Sequence, residues 1–161
     1  MDDSVRATRD LTLLEEIERD PDTSQITLAT RLGVAVGTVN WHLKRLVAKG
    51  YVKVKRAERK KLRYIITPEG IALRARLTVA YVENQMTLYR QVREEAQRVL
   101  KVVRKEGFRA VHIIGDGDIA DVCRLSCLEQ GIPIVEDSKD GSVATLEIRG
   151  KQIVIRELES E

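Results

Sequence analysis

The first third of the chain has apolar residues at helical spacing in three consecutive segments. They recur every three to four positions in residues 10–19, 24–31 and 36–49, which is the period of an amphipathic helix. Ser24 is placed to cap the second helix, and Gly50 to stop the third. In the second helix the positions expected to face inward are Ile26, Ala29 and Leu32. The pattern therefore predicts three short helices in succession.

The pattern then changes to the alternation that is typical of β-strands. Residues 51–54 and 62–66 alternate between apolar and polar side chains, and a polar tip lies between them. These two strands are expected to pair as a hairpin. Thr67 and Pro68 follow, a capping residue and a proline suited to the first turn of a further helix.

Residues 71–106 contain neither proline nor glycine, which predicts one long helix or two helices in succession. Its apolar stripe consists of Leu73, Leu77, Tyr81, Leu88, Val92, Ala96, Val99 and Val103. A helix of this length has no core of its own to cover such a stripe. We expect the stripe to meet a second copy of the chain, and the alternative is that it folds back on its own domain.

The last segment, residues 107–161, begins with a short apolar strand at 110–114. A helix to about Gln130 follows, and a second strand is expected at 131–135. Two more strands are predicted at 143–148 and 152–158. Strand, helix and strand in this order favour a βαβ start.

Charge is distributed unevenly along the chain. Residues 44–64 hold ten Lys and Arg and a single acid, Glu58, whereas residues 107–161 hold 6 Lys and Arg against 11 Asp and Glu. A basic cluster of this kind is typical of a surface that binds a polyanion. The acidic C-terminal segment is expected to lie away from it.

Three helices followed by a basic hairpin is the order of elements in proteins that bind the DNA major groove with a helix and flank it with a wing. The third helix offers its positions off the apolar stripe as candidate base readers: Thr38, Asn40, Trp41, Lys44 and Arg45. Asn pairs with adenine, and Arg or Lys with guanine. The candidate phosphate or minor-groove contacts on the wing are Lys55, Arg56, Arg59, Lys60 and Lys61. Trp41 has a core position as its alternative, and His42 is expected to pack or cap rather than bind a ligand.

Two stretches resemble known regulators. LATRLGVAVGTVNWHLKRLVAKGYVKV resembles the signature of winged helix-turn-helix regulators, and YIITPEGIALRARLT resembles the start of the linker helix in MarR-like regulators. The nearest resemblance is to the MarR-like group associated with exopolysaccharide gene clusters, and it covers residues 10–80. It implies a homodimer that binds double-stranded DNA at a near-palindromic operator.

A glycine-rich loop follows the strand at 110–114. Gly115, Gly117 and Ala120 fit G-x-G-x-x-A, and Glu136 lies at the end of the next strand, a spacing that resembles the Rossmann dinucleotide fingerprint. The carboxylates of Asp116 and Asp118 would repel a pyrophosphate, and Asp118 is a candidate helix cap. The sequence therefore predicts no cofactor, with a nucleotide or nucleotide-sugar sensor or enzyme centred on 115–120 as the alternative function.

Cys123 and Cys127 lie four apart, on one face of the same helix. We expect them to be packed on the sheet, with a redox or metal-sensing pair as the alternative. No catalytic or metal-binding motif stands out, which favours a protein that is not an enzyme. The longest apolar runs are a few residues, and the N-terminus lacks a signal peptide, so a cytoplasmic protein without a membrane partner is expected.

Together these patterns predict an α/β protein (α+β overall) with three parts. Residues 1–67 form a winged helix-turn-helix domain, 68–106 a helical linker and dimerisation region, and 107–161 a small Rossmann-like α/β domain. The predicted function is a sequence-specific duplex DNA-binding transcriptional regulator, a homodimer that reads the major groove with helix 36–49. A protein-interaction module that uses the same fold without DNA is a further alternative.

Overall fold

A computed structural model describes residues 2–58 and 61–156. They form two compact units, one up to Glu83 and one from Asn84. The first unit contains α1 (Asp3–Arg19), α2 (Gln25–Leu32), α3 (Val36–Ala48), β1 (Val52–Arg56) and β2 (Leu62–Ile66). The helix α4 (Pro68–Lys105) continues from the first unit into the second. The second unit also contains β3 (Ala110–Ile114), α5 (Asp118–Glu129), β4 (Val143–Arg149) and β5 (Gln152–Arg156).

The helix ends follow from local capping. Asp2 accepts a hydrogen bond from the Ser4 backbone N–H at 3.3 Å, so α1 begins earlier than its apolar stripe predicts. Ser24 caps α2 as expected, because its hydroxyl accepts from the Thr27 N–H at 3.1 Å. Gly33 ends α2 with φ at +65°, a left-handed conformation that glycine adopts without strain.

The core of the first unit joins the three helices to the hairpin. Its buried apolar side chains include Leu13, Leu14, Ile17, Leu28, Ala29, Val39, Leu43, Leu46, Val52 and Tyr64. The prediction that Ile26 faces inward is wrong, because its side chain is 69% exposed and Leu28 is buried instead. A spacing of three residues drifts around a helix by about 60° per step. The predicted stripe therefore crossed from the exposed to the buried side.

The hairpin forms the wing as predicted. β1 and β2 are antiparallel, with Val52 opposite Ile66 and Val54 opposite Tyr64. The Tyr64 N–H donates to the Pro21 carbonyl at 3.0 Å. The wing is thereby joined to the turn between α1 and α2 as well as to the apolar core.

One continuous helix of 38 residues, α4, follows the wing. Thr67 caps it as predicted, since its hydroxyl accepts from the Gly70 N–H at 3.1 Å. The expectation that its apolar stripe meets a partner is wrong for most of the stripe. Leu73 and Leu77 pack against the core of the first unit, and the members buried in the core of the second unit are Val92, Ala96 and Val103.

A second apolar stripe on α4 is exposed. Residues 78–87 are all exposed, and they include Val79, Val82 and Met86, which are followed by the exposed Tyr89. These four side chains follow one another at spacings of three, four and three residues, as the a and d positions of a coiled coil do. We call them the second stripe.

The second unit is built on a three-stranded sheet of order β3-β4-β5. β3 and β4 are parallel, and β4 and β5 are antiparallel. The strand expected at 131–135 is reduced to a single bridge between Ile134 and Val111. Pro133 has no N–H to donate to a ladder, although its carbonyl accepts from the Val111 N–H at 2.9 Å. The expected βαβ start is therefore incomplete.

A close approach at the start of α4 generates a stability prediction. A Cβ on Gly70 would overlap the Tyr51 carbonyl oxygen and lie 2.9 Å from Ile66 Cγ2, whereas a Cβ on Gly37 would meet nothing within 4 Å. Gly70→Ala is expected to lower the free energy of unfolding in urea by about 1–3 kcal/mol, because backbone cannot move aside cheaply. Gly37→Ala is the matched control and is expected to leave stability equal or higher. Equal losses in the two variants would contradict this account of the contact.

Candidate nucleic-acid interface

The outward face of α3 carries the candidate base readers. Leu43 and Leu46 are buried on the opposite side of the helix. Trp41 is 46% exposed and Lys44 is exposed, whereas Thr38 and Asn40 are half-buried. Trp41 thus lies on the surface and not in the core, which decides between the two positions that the sequence left open.

A buried carboxylate on α1 holds α3 from beneath. Asp10 is buried, and His42 Nδ1 lies 2.8 Å from its Oδ1. An ionised carboxylate only accepts, so His42 donates from Nδ1. Arg45 forms an ion pair with the other oxygen of Asp10. His42 is thus fully buried and packed, as the sequence predicts.

The guanidinium of Arg45, a candidate base reader, is consequently already engaged within the protein. Its side chain is only 21% exposed, and its charge is already paired with Asp10. Its guanidinium also lies 5.4 Å from the centroid of the Trp41 ring, and the guanidinium of Arg6 lies 5.8 Å from it. Two cations at this distance from an aromatic ring attract it electrostatically. Arg45 therefore supports Trp41 as well as Asp10.

Asn40 is connected to the wing through α2. The side-chain N–H of Gln25 donates to the Tyr64 hydroxyl at 3.1 Å and approaches the Asn40 Oδ1 at 3.5 Å. Gln25 is the first residue of α2, so one side chain joins α2, α3 and β2. This contact leaves the Asn40 amide N–H₂ as the donor for a base edge.

The cations of the wing are exposed. Lys53 lies opposite Ile65, and Lys55 lies opposite Arg63, whereas the alternate residue Val52 is buried. The exposed basic residues of the wing are Lys53, Lys55, Arg56, Lys61 and Arg63. Two predicted contacts, Arg59 and Lys60, lie outside the described residues. Arg63 is paired with Asp22 at 3.4 Å, whereas Lys53, Lys55, Arg56 and Lys61 are available to phosphates, as a DNA-binding wing requires.

The glycine-rich loop of the second unit has a packing explanation. Gly115 has φ at +130°, and a Cβ there would lie 2.8 Å from the Ile148 Cβ, so the first glycine of the fingerprint is required by its contact with β4. Ala120 is buried within α5, and Glu136 is exposed beyond the bridge at Ile134. Gly117, and not Asp118, is the capping position of α5, which corrects the expected cap.

Both cysteines are core residues of the second unit. Cys123 and Cys127 are free thiols with no exposed surface. A hydrogen bond with Cys127, together with burial, raises the pKa of the Cys123 thiol above its ordinary value. The same hydrogen bond lowers the pKa of the Cys127 thiol, so Cys123 is the less reactive of the two, because the thiolate is the reactive form. Among the described residues no cluster could hold a metal ion, and no helix is long and apolar enough to cross a membrane.

Three residues of the interface were missed by the sequence analysis. Asp10, Arg6 and Gln25 lie on α1 and α2, while the groups that they contact lie on α3 and the wing. Each lies in a polar stretch that reads as a solvated helix face. Their roles depend on partners that are distant in sequence, and hydrophobic periodicity contains no information about such pairs.

A known family of DNA-binding domains matches part of the first unit. Residues 6–53, which extend from α1 into β1, match the family of winged helix-turn-helix DNA-binding domains. Among curated proteins no relative matches the chain.

Solved structures also match part of the chain. The PcaV transcriptional regulator from Streptomyces coelicolor in complex with its natural ligand is 22% identical, with a TM-score of 0.46 over 60% of this chain and 70% of that one. A second structure of PcaV has a TM-score of 0.47 over 60% and 74%, also at 22% identity. MepR, a transcription regulator of the Staphylococcus aureus multidrug efflux pump MepA, is 23% identical, with a TM-score of 0.46 over 63% and 74%.

The pairing of Arg45 with Asp10 generates the second prediction. Arg45→Ala is expected to lower the free energy of unfolding by about 1–3 kcal/mol, because it leaves a buried carboxylate with one partner fewer. Lys44→Ala is the matched control, since Lys44 is the exposed neighbour on the same helix, and a change within about 0.5 kcal/mol is expected. Chemical denaturation followed by circular dichroism measures both. A loss in Lys44→Ala as large as that in Arg45→Ala would refute the assigned role.

Proposed function

We propose that the protein is a sequence-specific transcriptional regulator that binds duplex DNA with its first unit. The observation that carries the proposal is the outward face of α3, exposed beside a wing whose cations face solvent. The match of residues 6–53 to winged helix-turn-helix DNA-binding domains supports the same function. α3 would lie in the major groove, where its side chains reach base edges.

The wing would supply affinity rather than sequence preference. Lys and Arg contacts to phosphates release counterions, so each contact adds to the salt dependence of binding. Lys55 and Arg56 are exposed on β1 and suit this role, with the backbone or the minor groove as their target. Regulation would follow from occupancy of the operator in the cytoplasm. The narrower resemblance to MarR-like regulators of exopolysaccharide clusters remains a prediction.

No observation favours a nucleotide-dependent function. Gly115 is explained by its contact with Ile148, and the fingerprint's acid, Glu136, follows a single bridge rather than a strand. The two carboxylates of the loop, Asp116 and Asp118, are exposed where a pyrophosphate would bind.

We further propose that the regulator is a homodimer joined through the second stripe of α4. The occupant of this face is a second copy, because a stripe of coiled-coil spacing is complementary to itself: each side chain of one helix fits between those of the other. Val79, Val82 and Met86 are each more than half exposed, and exposed apolar stripes of this kind are typical of interfaces. Two copies would present two α3 helices to the two halves of a palindromic site.

DNA binding is tested by selection from a pool of random duplexes. The expected result is an enriched consensus sequence, and a pool that stays random after repeated rounds would contradict the proposed function. On the selected duplex, Lys55→Ala is expected to flatten the plot of log affinity against log salt by about one unit. Lys101→Ala is the matched control, because Lys101 is an exposed lysine of the second unit. It is expected to leave the slope unchanged.

The dimer is tested by charge placed on the second stripe. Val79→Glu is expected to convert the dimer to a monomer, because the paired helices would bury two like charges. Tyr81→Glu is the control, since Tyr81 is 46% exposed on the same helix but roughly 160° around it from Val79. Sedimentation equilibrium measures the mass of each variant. A monomeric wild-type protein, or dissociation of both variants alike, would contradict the proposed interface.

A further inference from the structure

We propose that Trp41 is the specificity-determining residue of α3 and that it reads the 5-methyl group of thymine in the major groove. The inference rests on the proposed DNA-binding function and deepens it. Trp41 lies at the centre of the outward face of α3, between the exposed residues Gly37 and Lys44 and one turn from each. Gly37 has no side chain, so the indole is the largest apolar group that this part of the helix offers to a groove.

The indole is held in place by two neighbouring cations. The guanidinium groups of Arg6 and Arg45 lie 5.8 and 5.4 Å from its centroid. Each guanidinium is itself paired with a carboxylate, Arg6 with Asp3 at 3.6 Å and Arg45 with the buried Asp10. A side chain that is already positioned loses little conformational freedom on binding. Trp41 is therefore prepared for a contact, although 46% of it is exposed.

A buried ring also packs against the indole. The His42 ring meets Trp41 edge to face, at 4.8 Å between centroids and an interplanar angle of 88°. His42 is fully buried and donates to Asp10. Arg6, Arg45 and His42 thus fix the ring, 46% of which remains exposed. Asp10 and Arg45 are positioning residues in this arrangement.

The apolar character of the indole determines which base it would contact. The major-groove edges of guanine, cytosine and adenine present only polar groups, whereas thymine adds a methyl group, which apolar side chains contact. Arg45, which could pair with guanine, is already bound to Asp10. The two cations beside the indole are attracted to the phosphates that line the groove. They therefore favour the approach of the indole to the thymine methyl group.

The test compares two versions of one duplex, obtained by selection on the wild-type protein. In the second version, deoxyuridine replaces every thymine, which removes the methyl groups and keeps every hydrogen-bonding group. Wild-type affinity is expected to fall about fourfold for each contacted methyl. Trp41→Ala is expected to bind both duplexes with one and the same weakened affinity, so that the ratio of the two affinities becomes one.

Lys44→Ala is the matched control from the neighbouring turn of α3. It is expected to weaken binding to both duplexes and to keep the wild-type ratio. Equal wild-type affinities for the two duplexes would overturn the inference, as would a ratio of one in Lys44→Ala. The proposed function fails separately, if the selection yields no consensus.

A second measurement needs no variant. Trp41 is the only tryptophan of the chain, so intrinsic tryptophan emission reports on this side chain alone. Saturation with the selected thymine duplex is expected to shift the emission and to protect it from quenching by acrylamide. Unchanged emission and quenching, under conditions where labelled duplex is bound, would place Trp41 outside the contact and overturn the inference.

Discussion

The pairing of Asp10 with His42 and Arg45 is the interaction on which the candidate DNA-binding surface depends. Apolar packing alone permits one helix to slide or rotate on another, whereas a buried carboxylate requires its donors in defined directions. The two donors lie three residues apart on α3, on adjacent turns, and both meet one residue of α1. The rotation of α3 about its axis is thereby fixed, and with it the direction in which Trp41 projects.

The wing is tied to the same helix through a smaller polar contact. Gln25 bridges the Tyr64 hydroxyl and the Asn40 side chain, and the Tyr64 N–H donates to the turn at Pro21. Hydrogen bonds of this kind each make a net contribution to stability of only about 1 kcal/mol. They therefore matter here for geometry more than for stability. They relate β2 of the wing to the helix that carries Asn40.

The elements of the first unit could be predicted because their signals are local. Ser24, Thr67 and the alternation of β1 and β2 act within a few residues of the structure that they specify. Long-range partners could not be predicted. Arg45 lies off the apolar stripe of α3 and so reads as a free surface cation, although its partner Asp10 stands 35 positions earlier. The strand expected at 131–135 is not formed for a second reason: Pro133 has no N–H to donate to a ladder, and the pairing with β3 is limited to a single bridge.

The helix α4 carries two apolar stripes, of which only the first was expected. Its first stripe is expected to meet a partner because a helix of this length has no core of its own, yet Leu77 and Val92 pack in the cores of the two units. The second stripe uses different residues, Val79, Val82 and Met86, which neither core includes. If two copies associate through this face, as we propose, association and the folding of each unit draw on separate side chains. A polar substitution on the second stripe then acts on assembly while both cores keep their contacts, which is why oligomeric state and stability are separable properties of this helix.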